Sequence, residues 1–204
     1  MGLPRLIGLI LLSGSILFVN VLTARAAGTA ATPASDPPIE IRIRLTLQGP
    51  SQPSSRVLEE ACQLANGIYR AIGVSLAWMD DNEIAASAPP EQIVAAVLSR
   101  SRTDRFLRES DLPDSVLGVA PRNTGRVYVF WDRIVQRAAR DQVLSQVVLG
   151  RVLAHEIGHH LLPSRSHSVE GLMQPSLNFT VRTPPTFTDD EARAIRLLLS
   201  HALP

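Results

Sequence analysis

His155 and His159 bracket Glu156 in the pentad His155-Glu156-Ile157-Gly158-His159. Residues four apart on a helix share one face, so the two imidazoles can converge on a single cation. Glu156, beside the first of them, can then reach a water on that cation rather than the cation itself. Zinc lowers the pKa of such a water from about 16 to about 7, and a neighbouring carboxylate can take its proton as the oxygen attacks a carbonyl carbon. The spacing therefore describes a hydrolytic mechanism. Four of the five histidines fall between positions 155 and 167. Core packing does not call for such crowding, because ionisable rings are costly to bury without partners.

Catalytic zinc takes three protein ligands and keeps a fourth position open. His167 is the leading candidate for the third: Pro163 must end the helix, and Ser164-Arg165-Ser166 reads as a turn that brings His167 back toward the first two rings. His160 adjoins His159 and so leaves the helix about 100° away, which makes it a supporting or surface residue. Glu170 and Glu191 stay open as carboxylate alternatives to His167, since mixed nitrogen and oxygen sets also bind zinc.

The run from His155 to Pro175, HEIGHHLLPSRSHSVEGLMQP, resembles the metzincin clan of zinc metallopeptidases, and its HS followed by LM and a proline is most similar to the matrixin branch. The resemblance implies that His155, His159 and His167 are zinc ligands, that Glu156 is the catalytic base, and that Met173 forms the methionine turn beneath the metal. From the residues alone, Met173 is also readable as an apolar gap filler. Leu162 and Arg165 stand where the clan pattern has its glycine and its third ligand, and the linker to His167 is two residues longer.

Such a site needs a scaffold. Ile39, Ile41, Ile43, Leu45 and Leu47 alternate with polar residues and predict a first strand. Apolar residues from Val57 to Ile72 recur at helical spacing, and Gly73 closes that segment. Residues 74–78 predict a second strand. Residues 93–98 suit either a helix opened by Pro89-Pro90-Glu91 or a buried strand, and the resemblance favours the strand. The charged stretch 101–113 reads as a solvated excursion. Leu117, Gly118, Val119 and Ala120 resemble the upper edge strand that metzincins offer to an extended substrate, with a strand at 127–131 following. A free edge has N–H and C=O groups that a peptide can pair with, although a loop touching nothing would read the same way. Residues 132–139 predict a short helix. Asp141 is placed to cap the long active-site helix, with Leu144, Val148 and Val152 on its buried side. Thr188 and Glu191 form a capping-box pattern ahead of a C-terminal helix carrying Ala192, Ile195, Leu198 and Leu199.

The expected architecture is α/β: a zincin-like, metzincin-type single domain over 39–204 with a twisted mixed sheet and two principal helices, the active-site helix and the C-terminal helix. Zinc would lie in a cleft below the edge strand, with a small subdomain after His167. Ahead of the domain, Arg5, an apolar stretch over 6–22 and Ala24-Arg25-Ala26 read as a signal peptide, 1–26, followed by an Ala/Thr/Pro-rich flexible leader, 27–38. A secreted or periplasmic location follows; an uncleaved segment acting as a membrane anchor is the alternative. Cys62 is the single cysteine, so no internal disulfide can form, and it reads as a small buried group on a helix. All 20 basic residues are arginine and the net charge is only +1, with acids interspersed. That balance argues against a nucleic-acid partner. There is no internal repeat, and no residue pattern sets an oligomeric state. The function expected is a zinc-dependent endopeptidase acting on peptide or protein substrates. The alternative is an exported zinc- or peptide-binding protein without turnover. Glu156 argues against it, because a purely structural site would fill its fourth position with another ligand.

Overall fold

The first strand, β1 (Ile39–Gln48), buries Ile41 and Ile43 and turns Glu40 and Arg42 to solvent, as period-two alternation requires. In the computed structural model the described residues are 38–79, 93–110, 112–122, 124–162 and 167–202. The signal segment, the leader up to residue 37, Pro163 and the Ser164-Arg165-Ser166 turn lie outside them. Ser54 opens α1 (Ser55–Arg70) by accepting from the Val57 N–H at 3.4 Å, and Ala61, Ala65, Ile68 and Tyr69 form its buried stripe. Gly73, at φ +76°, makes the left-handed turn into β2 (Val74–Met79). The remaining strands are β3 (Ile93–Leu98), β4 (Gly118–Val119) and β5 (Arg126–Phe130).

The five strands form one mixed sheet in the order β2-β1-β3-β5-β4. All neighbours run parallel except β4, which pairs antiparallel with β5 through Gly118 opposite Val129 and Val119 opposite Tyr128. β3 is central and buried on both faces. Ala95 joins the main core, whereas Ala96 and Leu98 join Phe130 in a second cluster on the other side. A strand covered on both faces has no reason to alternate, which is why residues 93–98 read equally as helix or strand.

Five helices are found among the described residues. The expected solvated excursion from 101 instead begins as α2 (Arg100–Arg108): Thr103 is buried, and Phe106 and Leu107 pack against the second cluster while the arginines and acids face water. Half of an amphipathic surface helix is charged, and here the charged half dominated the composition. Next, α3 (Trp131–Asp141) extends beyond the expected 132–139. Its last residue, Asp141, does not cap the following helix; its carboxylate accepts from Arg137 Nε at 2.7 Å within α3. Leu144 takes the cap position of α4 (Ser145–Leu161) without a side-chain bond, and it is 64% exposed rather than buried.

α4 is the central element, buried almost all round from Val148 to Gly158. A Cβ at Gly150 would lie 2.7 Å from the Ala61 carbonyl, so glycine lets α4 approach α1 backbone to backbone. Tyr69 Oη donates to the Ala154 carbonyl at 3.0 Å and fastens the same pair of helices at the residue preceding His155. Leu162, at φ −92° and ψ 132°, has already left the helix, as a residue preceding proline must. The C-terminal α5 (Asp189–Ala202) starts on the reciprocal box the sequence predicts, with Thr188 N–H donating to Glu191 Oε2 at 2.8 Å and Glu191 N–H to Thr188 Oγ1 at 3.3 Å. Among the described residues, no helix is long and apolar enough to cross a membrane.

Candidate metal centre

α4 delivers His155, Glu156 and His159 at its C-terminal end, and the helical period puts both imidazoles on one side. His155 is 6% exposed and its Nδ1 lies 2.8 Å from the Leu172 carbonyl. A carbonyl can only accept, so Nδ1 carries the proton and the lone pair is left on Nε2. That nitrogen lies 3.1 Å from His159 Nε2. Burial holds His155 below the usual imidazole range and the nearby His167 adds to this, while the Leu172 carbonyl and Glu191 act in the opposite sense. The ring is thus neutral and oriented, the state a metal ligand requires.

His167 stands beside the other two rings. Its ring centroid is 5.4 Å from that of His155 and 5.1 Å from that of His159. One ligand nitrogen from each of the three rings lies within 4.8 Å of the others. Donors on a tetrahedral zinc at about 2.0–2.1 Å stand roughly 3.3 Å apart, so the His155–His159 edge already has that spacing and exposed His167 completes a set of the right chemistry. The other carboxylate and imidazole candidates are elsewhere. His160 Nε2 lies 2.8 Å from the Arg126 carbonyl, linking α4 to the start of β5. Glu170 is exposed and outside the three-histidine group. Glu191 is also outside it, with one carboxylate oxygen on Thr188 N–H and the other accepting from Ser168 Oγ.

Met173 is completely buried and packs against Gly158. A Cβ on Gly158 would lie 2.7 Å from Met173 Sδ and 3.1 Å from Phe187 Cε1. Gly158 in the pentad therefore makes room for this side chain, a packing role that the histidine spacing does not disclose. The turn that carries Met173 is closed by the Ser168 N–H on the Met173 carbonyl at 2.8 Å and by the Leu172 N–H on the Thr186 carbonyl at 2.7 Å. Gly171, at φ +77°, allows it: a Cβ there would be 2.7 Å from the Thr186 carbonyl.

Glu156 points into a cavity of about 490 Å³ that also receives His155, His159 and His167. β4 forms one wall. Gly118 lies so close above the carboxylate stem that a Cβ would be 2.9 Å from Glu156 Cγ. Of the four residues expected in the edge strand, Gly118 and Val119 are in regular pairing, Leu117 continues it by accepting from Phe130 N–H at 2.9 Å, and Ala120 lines the same wall. The outer edge of β4 pairs with no described strand. Glu156 is 7% exposed, and burial pushes its carboxyl up to about 8, far more basic than an ordinary glutamate.

The opposite wall comes from residues 174–179 and rests on two arginines that sequence reading did not single out. Arg151 is 1% exposed on α4 and donates to the Asn178 carbonyl at 2.8 Å and the Val181 carbonyl at 2.7 Å. Arg137, paired with Asp141, donates to the Leu177 carbonyl at 3.3 Å and stacks over Phe179 at 4.9 Å. Nothing in their local sequence marks them, because these partners are main-chain carbonyls 27 to 40 residues away. Set beside known proteins, the chain matches no family model, and it matches no curated protein.

Proposed function

We propose that this protein is a secreted zinc-dependent endopeptidase with a zincin-like, metzincin-type domain. One observation carries the reading: the His155, His159 and His167 nitrogens converge within 4.8 Å, with the buried Glu156 carboxylate beside them under a sheet edge that pairs with no described strand. The mixed α/β sheet with its single antiparallel edge strand, the long helix behind it and the buried Met173 support the same reading. Export rests on Arg5, the apolar stretch and Ala24-Arg25-Ala26.

His155, His159 and His167 would hold the zinc, which when bound supplies Lewis acidity for a carbonyl and a nucleophilic water near neutral pH. The rest of the chemistry belongs to the chain. The Leu172 carbonyl fixes the His155 tautomer so that its Nε2 lone pair faces the other rings. Glu156 takes a proton from the attacking water and returns it to the leaving amine, a task its place in the cavity beside the three imidazoles suits. β4 pairs with an extended peptide through its free main-chain groups, which lays the scissile bond across the cavity beside Glu156. The close approach at Gly118 sets the distance between that peptide and the base.

The test combines metal analysis with digestion of a mixed peptide library. The purified protein should contain one zinc per chain, cleave internal peptide bonds, lose activity to a chelator and regain it with zinc. Full activity in metal-free protein would refute the reading.

A further inference from the structure

We propose that Glu191 is a positioning residue for His167, acting through Ser168; the inference rests on the metal reading above. Glu191 uses its two carboxylate oxygens for different purposes. Oε2 accepts from the Thr188 N–H at 2.8 Å and completes the start of α5. Oε1 accepts from Ser168 Oγ, a residue that belongs to the metal-side loop and is adjacent to His167. A capping box needs only the first of these bonds. The second ties α5 to the segment that presents the third imidazole.

In that segment the Val169 carbonyl also accepts from Gln174 Nε2 at 3.0 Å. His167 is exposed, Glu170 is exposed, and Val169 is 97% exposed, so packing does not define where the ring stands. Ser168 is the anchoring point: its N–H donates to the Met173 carbonyl at 2.8 Å and its hydroxyl to Glu191. One bond joins it to the turn beneath His155, and the other to α5. With both made, the backbone leaving His167 is fixed on two sides, and the ring is presented to His155 and His159 before any cation arrives. Asp189 and Asp190 precede Glu191 in the first turn of α5, and Asp190 instead pairs with Arg193 at 3.0 Å. Preorganising a ligand lowers the ordering cost of binding, and partners one step removed from a metal typically contribute 10- to 100-fold in affinity.

The test measures zinc affinity on folded protein by competition with a chromophoric chelator, with thermal melting as a check on folding. Ser168→Ala leaves the α5 cap intact and should weaken zinc binding about 10- to 100-fold. Glu191→Ala should do the same, and the double variant should bind no more weakly than Glu191→Ala alone, because both remove one link. Thr188→Ala removes the cap hydroxyl but not the Ser168 bond, and should leave zinc affinity unchanged while lowering the melting temperature. A folded Ser168→Ala protein with wild-type zinc affinity would overturn the proposal, as would additive losses in the double variant. Failure of the parent reading looks different: wild-type protein that takes up no zinc, or His155→Ala and His159→Ala variants that keep it.

Discussion

Gly118→Ala tests whether β4 truly lies against the Glu156 carboxylate. The added Cβ would meet Glu156 Cγ at 2.9 Å, the Tyr128 carbonyl at 3.0 Å and Val152 Cγ1 at 3.0 Å, where ordinary contact starts at 3.4 Å. Relief therefore needs a displacement of about half an ångström in three directions at once. The Tyr128 carbonyl belongs to β5, opposite Val119, so β4 cannot retreat from it without stretching its two-residue pairing. Overpacking of this kind costs about 1–3 kcal/mol. In a domain of this size each kcal/mol lowers the melting temperature by roughly 2–4 °C, which predicts a drop of about 2–12 °C. Turnover should fall by about tenfold, since a misplacement of about 1 Å can cost about 100-fold. Zinc content should not change, because none of the three clashing atoms belongs to a histidine. Calorimetry, metal analysis and peptide hydrolysis on the same preparation read all three. A variant that melts and turns over like the parent would refute the close packing of β4 on Glu156.

Glu156→Gln should retain zinc and lose roughly two to four orders of magnitude in rate, the usual worth of a general base; hydrolysis at the parental rate would remove Glu156 from the mechanism. Arg151→Met deletes two charged-donor bonds to the 174–181 wall, on Asn178 and Val181, and should cost about 2–3 kcal/mol in urea unfolding. A change near zero would mean the wall is held by something else. Cys62 is 9% exposed and burial pushes its thiol up to about 12, so a thiol reagent at neutral pH should label it only in denaturant. Since the folded chain keeps that proton at pH values where the unfolded chain has lost it, the thiol's contribution to stability should decline as pH rises from about 9 toward about 12. Comparing urea midpoints of parent and Cys62→Ala across that range checks the sign, and a steeper decline in the variant would contradict it.

Much of the scaffold is legible along the chain because its signals are local. The alternation over 39–47, the helical spacing that ends at Gly73 and the Thr188/Glu191 box each concern groups within a few residues of one another, and each gives the element expected. Misreadings occur where a neighbour far along the chain decides. Residues 101–108 are too charged to be recognised as half-buried until Phe106 and Leu107 meet Phe130 across the sheet. Asp141 looks like a cap for α4 until Arg137, one turn earlier, takes its carboxylate.

For the candidate site the division is similar. The His155, Glu156 and His159 geometry is dictated by residue spacing alone, since a helix puts positions four apart on one face whatever surrounds it. Spacing cannot say that His155 would donate its Nδ1–H to the Leu172 carbonyl, that Gly118 would lie on Glu156, or that Glu191 would accept from Ser168. Those relations depend on hydrogen-bond directions and contacts near 3 Å between segments 17 to 38 residues apart or more. The sequence supplied the groups and their local order; only packing of the sheet, α4 and α5 against one another determined their protonation, spacing and freedom, because main-chain carbonyls and glycine clearances carry no side-chain signature that a linear reading can detect.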